Sequence, residues 1–394
     1  MRWILILFIL FHCSSCWLIR AYRIRNLNLT DYKKLPSVAI QKPLQSFHFK
    51  NGTSQKQYNG LKRFLDSSLS TSNSAAFLVI RNDSIIYENY FDGFTKDDIL
   101  PSNSVSKSFT GTLIRIANNE GRIKSLFEPM TNYIPELLKK DSNFKKVTIQ
   151  HLLDMRSGFD FNEGSYDLKD DAIRYGLRRN MKKYLLKIKI AEPPGRFRYQ
   201  SANTQFLGWI IERATGKKLS TYLEEKIWRP LGMEQDASWN VDSKKRKMEY
   251  ASAGLNASPR DFAKFGQLYI NKGRWQNQQI IDEEWVNTIS SIDTMNTYNG
   301  YKNQWWSRTI FQTFEDSLDA VSFNEKTRNS VSIRKVGNGF RANYRTAAFS
   351  AIGFLNQYIY VNPIKNVVIV RIGKRWANRF GYTTQFIYQL GNGL

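Results

Sequence analysis

Ser104 and Lys107 stand three positions apart in Ser104-Val105-Ser106-Lys107, between a turn-rich stretch (Asp97 to Asn103) and the apolar-periodic run from Phe109 to Ala117. That setting reads as a loop entering a helix, with Ser104 in the first turn. Residues three apart on a helix share a face, so the Lys107 amine can reach the Ser104 hydroxyl. A serine is a weak nucleophile until a base takes its proton, and an amine does so once its pKa is lowered. The chemistry this pair supports is acyl transfer through a serine nucleophile. The same pattern occurs at Ser142-Asn143-Phe144-Lys145 and at Ser332-Ile333-Arg334-Lys335. The first lies in a polar stretch, and the second alternates like a strand, where such positions face opposite ways. Without the helix, Ser104 and Lys107 would be a capping serine and a solvated lysine.

Acyl transfer also needs a group that carries a proton to the leaving atom, and a phenol near a cation can do so. The turn Pro193-Pro194-Gly195-Arg196-Phe197-Arg198 delivers Tyr199-Gln200-Ser201 to the start of an apolar helix, Gln205 to Ile211. Alone, Tyr199 reads as a half-buried aromatic; beside a serine–lysine pair it becomes a candidate proton shuttle. His151, in Ile149-Gln150-His151-Leu152-Leu153, invites a serine–histidine triad, but its place at a helix start favours a structural role.

Together these segments resemble the serine β-lactamase-like hydrolases related to class C β-lactamases. That family also holds penicillin-binding DD-peptidases, family VIII esterases and 6-aminohexanoate-oligomer hydrolases. The resemblance runs over about residues 75 to 375. Its pieces are Ser104 to Phe109, His151 to Phe159, Tyr199-Gln200-Ser201, Leu231-Gly232-Met233, Ala253 to Gly266, and Gln357 to Pro363, in the family's order. It implies that Ser104 is the nucleophile, Lys107 its base and Tyr199 the proton shuttle. It further implies an oxyanion hole made by the Ser104 N–H and a second N–H from a sheet-edge strand, Gly353 to Gln357, with Gln357 as the second donor.

The familiar third motif, lysine or histidine followed by a small residue and glycine, is replaced by Phe354, Leu355 and Asn356. The missing cation argues against substrates held by a carboxylate, and so against β-lactamase and DD-peptidase activity. Asn356 in place of glycine narrows backbone approach to a ligand. Ser201, in place of the family's asparagine, leaves a hydroxyl. Phe354, Asn356, Gln357 and Ser201 are therefore the expected substrate-binding residues. The resemblance implies hydrolysis of a small-molecule amide or ester, like a 6-aminohexanoate-oligomer hydrolase or an esterase. A DD-peptidase or β-lactamase, or a non-catalytic binder of cell-wall fragments on the same scaffold, are the alternatives.

The elements that must position these residues follow from pattern. A helix is expected at Tyr58 to Leu69, then a hairpin of Ala76 to Ile80 and Ile85 to Tyr90 around Asn82-Asp83. From Gly121 to Trp306 the helical period dominates, and strands return at 331–335, 357–361 and 367–372 before a closing helix from Trp376 to Leu390. The expected class is α+β, of the β-lactamase/transpeptidase-like kind. One antiparallel sheet is built from both ends of the chain, with flanking helices and an inserted, mainly helical lobe at about 121–306. The hydrolase domain is 56–394, preceded by a polar tether at 26–55.

Residues 1–25 form a signal or membrane-anchor segment: Arg2 precedes the apolar run Trp3 to Phe11, and arginines follow at 20, 23 and 25. N-terminal membrane association or export is the expectation, with topology left open. Both cysteines, Cys13 and Cys16, lie in this segment, which excludes a cysteine nucleophile and a core disulfide in the globular part. The three histidines do not cluster, so neither a metal nor another cofactor is expected. The net charge of +24 is scattered and lacks any nucleic-acid motif, so no nucleic-acid partner is expected.

Overall fold

A computed structural model describes residues 28–165, 169–291, 300–327, 330–376 and 382–394. The N-terminal segment 1–25, with both cysteines, lies outside the described residues. Among the described residues, no helix is long and apolar enough to cross a membrane.

The chain opens with β1 (Ser37–Ile40), β2 (Lys50–Asn51), helix α1 (Asn59–Leu69), β3 (Ser74–Arg81), β4 (Ser84–Tyr90), β5 (Leu100–Pro101) and α2 (Ser106–Asn119). After several short helices come α3 (Ser201–Thr215), β6 (Ala237–Asn240), β7 (Leu255–Ala257) and α4 (Pro259–Ile270). Two small hairpins follow, β8 (Arg274–Trp275) with β9 (Gln278–Gln279), and β10 (Tyr301–Lys302) with β11 (Trp305–Trp306). Next are β12 (Ile310–Phe314), α5 (Ser317–Thr327), β13 (Ser330–Val336) and β14 (Gly339–Tyr344). The last elements are β15 (Phe349–Gly353), β16 (Gln357–Asn362), β17 (Val367–Gly373) and α6 (Tyr382–Gly393).

The main sheet has eight strands in the order β10-β11-β15-β16-β17-β3-β4-β2. It joins the two ends of the chain, because β17 pairs antiparallel with β3 through Val370↔Leu78 and its neighbours. Strands β3, β16 and β17 are buried on both faces, which is why they read as nearly unbroken apolar runs. Alternate residues go to opposite layers. Leu78, Ile80, Ile359 and Val368 join the core with α2, α3 and α4, while Phe77, Val79, Tyr360 and Ile369 pack with α1 and α6. Each fully buried Leu, Ile or Phe in these layers contributes about 1.5–3 kcal/mol. The hairpin at Asn82-Asp83 forms as expected, with φ of 49° and 59° at its two turn residues.

The polar stretch expected to be a tether is, from residue 28 on, part of the fold. Strand β1 pairs with β6, β2 lies parallel to β4, and Leu29, Ile40 and Phe49 are buried. These apolar side chains are too widely spaced to leave a periodic signal. A second sheet, β1-β6-β7-β5, joins two strands from the start of the chain to two from its middle and brings β5 to the doorstep of Ser104. Strand β13 belongs to a separate sheet, β12-β14-β13, and not to the main one. Of the expected closing helix, residues 377–381 lie outside the described residues, and Tyr382–Gly393 is helical.

Candidate active site

Ser104 sits in a 3-10 turn, Asn103–Val105, that runs directly into α2. The turn is held by serines. Ser102 Oγ and Ser106 Oγ are 2.7 Å apart, Ser106 Oγ donates to the Asn103 carbonyl at 2.9 Å, and Leu255 N donates to Ser106 Oγ at 3.1 Å. Strand β7 thereby clamps the turn from below. Asn103 takes a φ of 48°, and its Nδ2 donates to the Phe354 carbonyl at 2.9 Å, which fixes the turn to the end of the main sheet.

The first turns of α2 are buried, so its hydroxyls must find partners within the protein. Ser108 Oγ donates to the Gln304 carbonyl at 2.7 Å and Thr110 Oγ1 to the Ala251 carbonyl at 2.9 Å. Gly111 permits this closeness: a methyl there would lie 2.9 Å from Gln304 Cγ and 3.1 Å from the Asn303 carbonyl oxygen.

Lys107 is 1% exposed. Its Nζ lies 3.1 Å from Ser104 Oγ, 3.0 Å from Ser201 Oγ and 2.9 Å from the Ser252 carbonyl oxygen. Burial pushes its pKa down to about 8 against the opposing pull of the Glu163 carboxylate. An amine so placed is half neutral at about pH 8, where an ordinary lysine is almost wholly protonated, and it faces the hydroxyl it would deprotonate. Tyr199 completes the cluster, its ring centre 5.2 Å from Lys107 Nζ. The ring stacks on Trp306 at 5.4 Å and meets Tyr301 edge-on at 5.7 Å. Because Trp306 pairs with Ser350 of β15, the main sheet itself orients Tyr199.

The structure thus brings Ser104, Lys107, Tyr199 and Ser201 together, and it alters the expected role of the 353–357 segment. Gly353 ends β15, Phe354–Asn356 form a turn, and Gln357 opens β16. The segment is a hairpin corner, not one strand, because Leu355 and Asn356 take φ of 64° and 65°. It comes up against the nucleophile turn at Gly353, where a methyl would meet the Ser102 carbonyl and stand 3.1 Å from Ser104 N. Gln357 lies one strand further in, opposite Gly353, with its side chain donating to the Gly373 carbonyl at 2.8 Å and accepting from Gly373 N at 2.9 Å. Asn356 Nδ2 donates to Thr383 Oγ1 at 2.9 Å. The side chains of Gln357 and Asn356 are thus engaged within the scaffold. Phe354 is placed at the site by its carbonyl, through Asn103.

His151 is structural, forming a capping box with Thr148 at the start of helix Ile149–Leu153. Of the two rival serine–lysine patterns, Ser142 lies in a short 3-10 helix, Ser142–Lys146, and Ser332 in β13. Neither belongs to this cluster. Sequence reasoning missed Glu163 and Ser252. Glu163 accepts from Ser201 Oγ at 2.7 Å and also from Ser201 N. Burial pushes its carboxyl pKa up, opposed by Lys107 and by the Ser201 bonds. Ser252 also shares a hydrogen bond with the buried Tyr175 hydroxyl. No spacing rule links Glu163 to a helix 38 residues downstream, and a backbone carbonyl leaves no mark in sequence.

A serine–lysine pair at a helix entrance, a tyrosine on the facing loop and an antiparallel sheet from both chain ends define a beta-lactamase fold, and the family model for beta-lactamase matches residues 67–388. The chain belongs to that family. It is 30% identical over 264 residues to the 6-aminohexanoate-dimer hydrolase of Paenarthrobacter ureafaciens, a match covering 61% of this chain and 66%, just under two thirds, of that enzyme. Among solved structures, one assigned as a 6-aminohexanoate-dimer hydrolase from Bacillus anthracis is 27% identical with a TM-score of 0.70, covering 96% of this chain and 95% of that one. A class C beta-lactamase mutant superposes with a TM-score of 0.55 at 16% identity over 84% of this chain and 94% of its own, which is a likeness of fold.

Proposed function

We propose that this chain is a serine hydrolase that cleaves an amide or ester through an acyl-enzyme on Ser104, in the manner of a 6-aminohexanoate-oligomer amidase or an esterase. The observation that carries this reading is the buried Lys107 amine at 3.1 Å from Ser104 Oγ. In the proposed reaction, Lys107 takes the Ser104 proton as Oγ attacks the substrate carbonyl carbon. The tetrahedral oxyanion is held by the Ser104 N–H and by a backbone N–H of the Gly353–Phe354 edge, in place of the Gln357 donor expected from sequence. Tyr199 protonates the leaving nitrogen or oxygen, the carbon–heteroatom bond breaks, and the acyl group stays on Ser104. Water then attacks the ester carbonyl, giving its proton to the Tyr199–Lys107 pair, and releases the carboxylic acid and the Ser104 hydroxyl.

Strand β15 beside the nucleophile reads Phe349-Ser350-Ala351-Ile352-Gly353 and offers neither lysine nor histidine to a substrate carboxylate. This favours a plain amide or ester over a β-lactam or a peptide C-terminus. The test is turnover of a linear 6-aminohexanoate amide and of a p-nitrophenyl ester by the wild type and by Ser104→Ala. Wild-type turnover abolished in the variant supports the reading; equal turnover by both proteins contradicts it. Rapid hydrolysis of a chromogenic cephalosporin would overturn the preference against β-lactams.

A further inference from the structure

Lys107 reaches three oxygens, those of Ser104, Ser201 and the Ser252 carbonyl, and a protonated amine has three N–H bonds to match them. A base must be neutral, with two N–H bonds and one lone pair, and the site has to decide where that lone pair points. The Ser252 carbonyl can only accept. Ser201 has one O–H and could either donate to the lone pair or accept an N–H.

Glu163 decides the matter. Its Oε1 takes the Ser201 hydroxyl proton at 2.7 Å, and its Oε2 accepts the Ser201 backbone N–H, so both oxygens are committed to one residue. With its proton held by the carboxylate, the Ser201 oxygen faces Lys107 Nζ at 3.0 Å as an acceptor only. The two N–H bonds of the neutral amine then go to Ser201 and Ser252, and the lone pair is left for the Ser104 hydroxyl.

We propose that Glu163 is the positioning residue of this site: through Ser201 it aims the Lys107 lone pair at Ser104 and then stabilises the ammonium formed when the Ser104 proton arrives. This rests on the reading of Ser104 as nucleophile and Lys107 as base. The proton balance is closed, because Oγ–H of Ser104 breaks as N–H of Lys107 forms, and Glu163 keeps its charge throughout. The charged groups that act on Glu163 are Lys107 from α2 and Asp170, beside the hydrogen bonds from Ser201, while Tyr175 and Tyr301 feel its charge in turn. A neutral amide at 163 loses the ammonium's counter-charge. It can also present an N–H to Ser201, which turns the serine into a donor toward Lys107.

The experiment begins with fluorophosphonate labelling of the wild type at Ser104, which isolates the underlying reading: without that label, the nucleophile assignment itself fails. Given the label, kcat and KM for a p-nitrophenyl ester are measured against pH for Glu163→Gln. The expected result is a plateau kcat lowered ten- to a hundred-fold, KM within about threefold, and an acid limb of kcat/KM moved to lower pH. An unmoved limb, or one moved upward, overturns the proposal, because a merely structural loss would lower activity without that shift. Ser201→Ala cuts the same link from the other side and serves if Glu163→Gln does not fold. It should lower the plateau as much, and the double variant no further; additive losses contradict the relay.

Discussion

Replacing Gly353 by alanine tests the junction between the nucleophile turn and the main sheet. Gly353 has φ −118° and ψ 159°, extended values that alanine adopts freely, so any effect is steric. The added methyl would press on the Ser102 carbonyl roughly 1 Å inside ordinary van der Waals contact, and would stand 3.1 Å from Ser104 N. Both neighbours are backbone in a turn pinned by Ser106, Leu255 and Asn103, so relief requires the turn and β15 to separate. Overpacking of this kind costs about 1–3 kcal/mol of stability. The effect on chemistry is larger, because an opening of about 1 Å at a reacting centre costs on the order of 100-fold in rate. Loss of one oxyanion donor costs a similar factor or more, about 10²–10³. The assay is kcat for a p-nitrophenyl ester at a pH above 8, together with urea denaturation of both proteins. The expected Gly353→Ala protein is folded, has a lower urea midpoint and has lost at least about 30-fold in kcat, a somewhat smaller factor than full misplacement. A folded variant with kcat within threefold of wild type would refute the claim that this edge forms part of the site.

Two further outcomes follow from charge. Lys107 acts only when neutral and its pKa is lowered to about 8, so kcat/KM should fall tenfold per unit as pH drops below that value; Lys107→Ala should lose at least about 10³-fold at a pH above 8, with the gap to wild type narrowing as pH falls, and a flat wild-type profile between pH 6 and 9 would exclude this base. Asp282 caps helix Glu283–Ser290 by accepting from Trp285 N at 2.9 Å and receives Arg115 Nε at 2.6 Å. Burial pushes its carboxyl pKa up, but the hydrogen bonds from Arg115, Asn119 and Trp285 outweigh this and hold it at about 2. A depressed carboxyl pKa stabilises the fold above its ordinary value near 4 and loses that contribution as pH falls toward 2. Asp282→Asn should therefore be about 1–2 kcal/mol less stable at pH 7, with the gap closing by pH 2, as read by thermal or urea unfolding.

How much of this was legible in sequence depended on range. The Ser104–Lys107 pair could be read because one helical turn fixes its geometry locally. The Asn82-Asp83 hairpin could be read because both residues tolerate left-handed backbone, and Tyr199 because a proline-rich turn marks its helix entrance. The corner at 354–356 was misread as strand because Leu355 gives no sign of the left-handed conformation it adopts; its neighbours, the Asn103 amide and Thr383 hydroxyl, come from distant parts of the chain. Strands β1 and β2 escaped notice since their pairing partners supply the regularity that their own residues lack. Glu163 was invisible for a related reason: one acid among several in a polar loop, with Asp160, Asp167, Asp170 and Asp171 near it, acquires meaning only when folding carries Ser201 onto it.

The most direct measurement is the site of covalent capture. Wild-type protein treated with a fluorophosphonate above pH 8 should gain one adduct by intact mass, mapped to Ser104 by peptide sequencing and absent from Ser104→Ala. A folded wild-type protein that hydrolyses the ester yet carries its adduct on another residue, or carries none, would contradict the assignment of Ser104 as the nucleophile.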